Sequence, residues 1–141
     1  MENEAMSETA KWHWAEGMKY ALEGMKTLFI LNGAAAVSIL TFIGNVKSKS
    51  EFLIFAMLAF ALGAASVIFT MLLAYLTQLH YGNANHSISS NDLASTWNTG
   101  VRYHYGVYVF MALGAVFFIL GAVLAAIGLT AANFTPKCSL S

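Results

Sequence analysis

The chain has 141 residues, of which 58% are hydrophobic and only 10% charged, with seven basic and seven acidic side chains that cancel to a formal net charge of zero. Soluble domains carry about a quarter charged residues, so this composition excludes an ordinary soluble domain, and zero net charge removes the electrostatic case for nucleic acid. A mean hydropathy of +0.63 points to lipid as the solvent.

The N-terminal stretch MENEAMSETAKWHWAEGMKYALEGMKT is polar and has neither a basic n-region nor a cleavage motif, so it does not read as a signal peptide. Within it Glu16, Lys19, Glu23 and Lys26 alternate in sign at helical spacing, as on a solvated helix face laced with ion pairs. Nothing but isolated glycines separates this face from the apolar run Leu28 to Val46, and the two together predict one helix over 9–46.

After a tight Lys47-Ser48-Lys49 turn, the run Phe52 to Leu79 predicts a second helix over 50–81. A polar loop is expected over 82–99 (GNANHSISSNDLASTWNT), then a third helix over 100–133 around the run Val107 to Ala132, and a tail over 134–141. None of the three runs contains Lys, Arg, Asp or Glu, and each exceeds the roughly 18 residues that license a transmembrane reading. The fold class is all-α: an integral membrane three-helix bundle forming a single domain. Its helices outrun a hydrocarbon core of about 30 Å and protrude on one side as a stub. Trp12, Trp14, Tyr20, Tyr75, Tyr81, Trp97, Tyr103, Tyr105 and Tyr108 all fall at the stub end, where aromatic residues favour the headgroup layer. Lys11, Lys19, Lys26 and Arg102 on that side outnumber Lys47, Lys49 and Lys137 on the other, which favours a cytoplasmic N-terminus.

Each predicted helix carries a seam of small or polar residues at spacings of three and four. In the first it runs His13, Gly17, Tyr20, Gly24, Thr27, Leu31, Ala34, Ser38, Thr41, Asn45; in the second, Ala56, Ala59, Gly63, Ser66, Thr70, Leu73, Thr77, His80. In the third, Gly114, Gly121 and Gly128 repeat in heptads, joined by Ala125 and Ala132. Small residues let membrane helices approach closely, and a period of seven implies left-handed packing at modest crossing angles. Two readings compete. Either the seams face one another inside each protomer and serve packing, or one of them lines a water-filled path in a ring of protomers, with Asn32, Ser38, Thr41, Asn45, Ser66 and Thr70 as intramembrane polar candidates. Asn32 stands off the first seam, near mid-membrane, at the depth of Gly63 and Gly121; a glycine opposite would let its amide reach a backbone carbonyl.

His13, His80 and His104 fall at similar heights on the stub side and form a candidate pH-sensing or metal cluster, although no HxxxH, CxxC or carboxylate–histidine pair accompanies them. A lone Cys138 allows no internal disulfide. No nucleophile motif, phosphate-binding glycine loop or intramembrane charge is present. No enzymatic activity and no cofactor are therefore expected.

The segments LNGAAAVSILTFIGN and AYLTQLHYG, the glycine heptads and Lys11-Trp12-His13-Trp14 together resemble a group of small bacterial three-span membrane proteins that have an LNGxAAV-type first span. The resemblance implies a bacterial origin and carries no activity or catalytic residues with it. Phage holins usually end in a basic tail, which PKCSLS does not supply. The expectation is a homo-oligomeric inner-membrane protein that forms a pore or disrupts the bilayer. The alternative is a non-conducting anchor or accessory subunit, docking a cytoplasmic protein partner through its N-terminal helix.

Overall fold

A computed structural model of the chain describes residues 2–46, 50–85 and 90–134; the Lys47-Ser48-Lys49 turn, His86, Cys138 and the tail beyond residue 134 lie outside the described residues. Three helices follow in chain order, α1 (Glu2–Val46), α2 (Glu51–Asn85) and α3 (Ser90–Phe134). The protein is all-α, and each helix contains a stretch long and apolar enough to cross a membrane: Ala15–Val46, Glu51–Ala84 and Asn91–Ala131. At about 1.5 Å per residue the 45-residue helices α1 and α3 reach about 68 Å and the 35-residue α2 about 53 Å.

Two boundaries differ from expectation. The first helix begins at Glu2 rather than Thr9, since no proline or glycine lies in the first ten residues to stop it. Most of the stretch 82–99 is helical instead of forming a loop: α2 continues to Asn85, and α3 starts at Ser90. The Ser-Asn-Asp composition there is that of a helix N-terminus, with Asp92 in the first turn. Ser95 Oγ donates to the Asp92 carbonyl at 3.1 Å and Thr99 Oγ1 to the Ser95 carbonyl at 2.9 Å, so hydroxyls that suggest a loop by composition are absorbed by the helix they sit on. The Trp97 ring then packs on Tyr81 of α2 at 4.6 Å between centroids, tying the new turns to the bundle.

The principal contact in the molecule is between α2 and α3; α1 leans on α2 and touches α3 only sparsely. The α2–α3 contact is built by glycines. A Cβ at Gly128 would come within 2.8 Å of Leu53, one at Gly121 within 2.8 Å of the Phe60 ring, one at Gly114 within 3.2 Å of Val67, and one at Gly100 within 2.7 Å of Tyr81. Leu53, Phe60, Val67 and Tyr81 all belong to one heptad track on α2, as Gly128, Gly121, Gly114 and Gly100 do on α3. A large side chain of α2 thus seats in each notch of α3, as knobs seat in holes at a repeat of seven. Leu53 and Phe60 are buried, and Phe60 also meets Phe118 at 5.7 Å between ring centroids. Between lipid-solvated helices no hydrophobic force separates inside from outside, so this interdigitation supplies the attraction.

Replacing Gly121 by Ala should destabilise the bundle by about 1–3 kcal/mol through overpacking. Phe60→Leu in the same chain should recover much of that loss, as read by unfolding in mixed micelles followed by circular dichroism. A Gly121→Ala protein as stable as the parent would contradict this packing.

Candidate functional site

The three seams have different fates. On α2, Ala56, Ala59, Gly63, Ser66, Thr70 and Thr77 are buried, and on α3 so are Gly114, Gly121, Ala125 and Gly128. On α1 every residue of the seam whose exposure is described, from His13 through Gly24 and Ala34 to Asn45, is exposed. The reading in which all three seams face inward is therefore corrected for the first helix from Thr27 to Asn45, while His13 and Gly17 at its N-terminal end border a space between the helices. Its inner face is instead the neighbouring line Met25, Leu28, Asn32, Ala35, Ala36 and Ile39; the last three pack against the Ala56–Phe60–Ala125 cluster.

Asn32 is the polar centre of the bundle, with none of its surface exposed. Its Nδ2 donates to the Leu28 carbonyl at 3.0 Å on its own helix and to the Gly114 carbonyl of α3 at 3.4 Å. Its Oδ1 lies directly against Gly63 of α2, where a Cβ would overlap it outright, and accepts no hydrogen bond among the described residues. One amide therefore touches all three helices. The glycine that makes room for it is Gly63, and the carbonyl it reaches belongs to Gly114. Gly121, expected at the same depth, lies two turns, about 10 Å, further along α3 and is filled by Phe60. An amide in this position contributes about 1 kcal/mol when paired, and its oxygen is left to the weak Cα–H donors of a glycine. Asn32 is accordingly enclosed by the three helices of one protomer.

The hydroxyls divide in the same way. Ser66 Oγ donates to the Leu62 carbonyl at 2.8 Å and Thr70 Oγ1 to the Ser66 carbonyl at 3.0 Å, both from the interior seam of α2. Both side chains are buried, with their protons returned to their own helix. Ser38 Oγ and Thr41 Oγ1 make the same 2.8 Å back-bonds, to Ala34 and Val37, yet their side chains are on the outside, with Asn45 one turn further on. Of the intramembrane polar candidates, Ser38, Thr41 and Asn45 are the ones presented outward.

The three histidines do not converge. His80 stacks on Tyr103 at 5.3 Å between centroids, whereas His13 and His104 border a cavity of about 280 Å³ between the helices, which His80 does not line. Among the described residues no three His, Cys, Asp or Glu side chains come together as a metal site. His104 Nε2 shares a hydrogen bond of 3.0 Å with Tyr108 Oη, and His13 meets Trp12 edge to face at 4.9 Å. This cavity escaped the sequence reading, although the heptad tracks carried a signal for it: the α2 track reads Leu53, Phe60, Val67, Ala74, Tyr81, with its large side chain missing at Ala74.

Comparison with protein-family models, curated proteins and solved structures finds no match to the chain.

The Asn32–Gly63 contact can be measured by a double-mutant cycle. Gly63→Ala should destabilise the protein by about 1–3 kcal/mol, and by much less when Asn32 is already Ala. A coupling of at least about 1 kcal/mol is expected in detergent unfolding; additive effects would place the amide elsewhere.

Proposed function

We propose that this chain is a multi-pass protein of the bacterial inner membrane that self-associates through α1 and forms, or gates, a narrow pore. One observation carries the reading: the α1 seam of small and polar residues is exposed along the length of the span, while the corresponding seams of α2 and α3 are used up inside the protomer. Lipid gives such a face little. Glycine notches offer it few contacts, and the Asn45 amide and the Ser38 and Thr41 hydroxyls prefer water or another helix to hydrocarbon. A ring of protomers with α1 innermost would bring Ser38, Thr41 and Asn45 to its axis and turn outward the Phe, Leu and Ile side chains of α2 and α3 that are exposed here, such as Phe55, Leu62, Ile68 and Ile119. Three spans offer too little protein for a transport path inside one copy, so a path between copies fits the geometry better.

The alternative, an anchor that docks a cytoplasmic partner through the charged face of α1, has less support. Lys19 Nζ donates to Glu16 Oε1 at 2.6 Å and Lys26 Nζ to Glu23 Oε1 at 3.0 Å, so this face neutralises itself and presents no unmatched charge. Exposed pairs of this kind contribute a few tenths of a kcal/mol each. A cytoplasmic N-terminus accords with the four-against-three distribution of Lys and Arg, and belongs to the same proposal.

Purified protein reconstituted into liposomes should run as an oligomer and release small ions or dyes. Ser38→Leu with Thr41→Leu should cut that release about tenfold or more by replacing polar lining with hydrocarbon, without changing helix content. A monomer that leaves vesicles tight would remove the proposal.

A further inference from the structure

The interdigitation of α2 and α3 fails at one layer. Large α2 side chains fill the notches at Gly128, Gly121, Gly114 and Gly100, but the heptad position between the last two places Ala74 of α2 opposite Val107 of α3. Both residues line the cavity of about 280 Å³. Across it stand Gly17 and Ala21 of α1, and at Gly17 a Cβ would meet nothing within 4 Å. The void therefore lies beside small residues of two helices, Ala74 of α2 and Gly17 and Ala21 of α1.

Its chemistry is graded along the helices. Toward the stub it is bordered by His13, His104, Tyr108 and Gln78, and toward the membrane centre by Met25 and Met111. From His13 to Met25 is a rise of about 18 Å along α1. Of this polar rim, His13 lies just before the α1 span and Gln78 in the last two turns of the α2 span, whereas His104 and Tyr108 fall within the α3 span. No Lys, Arg, Asp or Glu lines the cavity; Lys19 borders an adjoining groove with Met18, Met25, Ala74 and Gln78 and is paired with Glu16. A phosphate headgroup would find no unpaired cation here. For a metal ion the lining offers only two histidines and three thioethers, and among the described residues no three His, Cys, Asp or Glu side chains come together there.

The rim does offer neutral hydrogen-bond donors. Whichever way the proton lies in the His104–Tyr108 hydrogen bond, the pair keeps one free donor, the Nδ1–H or the phenolic O–H, and Gln78 adds an amide. Flexible thioethers below it make favourable contacts with ring edges. A cavity of about 150 Å³ already holds benzene, so this one has room for a substituted ring.

We propose that the cavity binds an isoprenoid quinone: a neutral ring with carbonyl acceptors held at the His104–Tyr108–Gln78 rim, its apolar tail descending past Met25 and Met111 into the bilayer. This site stands independently of any pore formed by α1.

The test uses the full chain in phosphatidylcholine nanodiscs, titrated with decylubiquinone and read by quenching of tryptophan fluorescence; Trp12 packs on His13 at the rim. The parent should show saturable quenching above the linear background of quinone partitioning into lipid. Ala74→Leu, which refills the empty layer, should abolish the saturable part, and so should Gly17→Leu, which grows into open space and leaves the helix contacts intact. His104→Phe should weaken binding about fivefold through the lost hydrogen bond. Linear quenching alone in the parent would overturn the proposal, as would saturation that survives both cavity-filling variants. Displacement of the quinone by phosphatidylglycerol at bilayer concentrations would assign the cavity to a phospholipid instead and equally overturn it.

Discussion

The structure depends on the glycine track of α3. In a bilayer, helices gain nothing from hiding apolar surface that lipid would solvate equally well, so they hold together only where backbones come close enough for dense contact. Gly100, Gly114, Gly121 and Gly128 provide that approach, and the side chains of Tyr81, Val67, Phe60 and Leu53 fill the notches. The result is a tight α2–α3 pair. Its glycine notches are filled mainly by α2, and α1 reaches the track at Gly114, where Leu28 and the Asn32 amide meet it.

The attachment of α1 follows from this. It lies on α2 and reaches α3 at few points, of which the Asn32 amide, inserted between Gly63 and Gly114, is the most specific. An amide in hydrocarbon must find a partner, so it sets both the depth and the rotation of α1 against the pair. With the Asn32 face turned inward, the line Ala34, Ser38, Thr41, Asn45 faces outward. On the stub side of the junction the Ala74 layer borders the cavity that His104 and Tyr108 also line. Junction, outward seam and cavity are three consequences of one arrangement.

Much of this could be read from the residues. Uncharged runs locate the spans because length and charge are direct physical requirements of the bilayer, and counting depth from the short turn places Asn32 level with Gly63. The rotation of α1 could not be read in the same way. In water a polar stripe marks the outside, but in lipid a stripe of small and polar residues suits a helix contact inside the protomer and one between copies equally well. The helical turns at Ser90 to Thr99 were obscured by Ser, Asn and Thr, which favour loops by competing for backbone groups and here bond back to their own helix. The pairing of heptad tracks, and with it the gap at Ala74, emerges only when the α2 and α3 registers are set side by side.

The central claim is that α1 turns its small and polar seam away from its own protomer, toward water or a neighbouring copy. Nitroxide labels placed singly at Ser38, Thr41 and Asn45 in reconstituted, Cys138→Ser protein test it directly, with Ile119, an exposed apolar position on α3, as the lipid reference. Power-saturation spectroscopy should find the three α1 sites much less accessible to oxygen than Ile119, with a water-soluble nickel chelate reaching at least the Asn45 label. Four sites with the same oxygen-rich, chelate-excluded signature would mean that the seam simply faces lipid, and would contradict it.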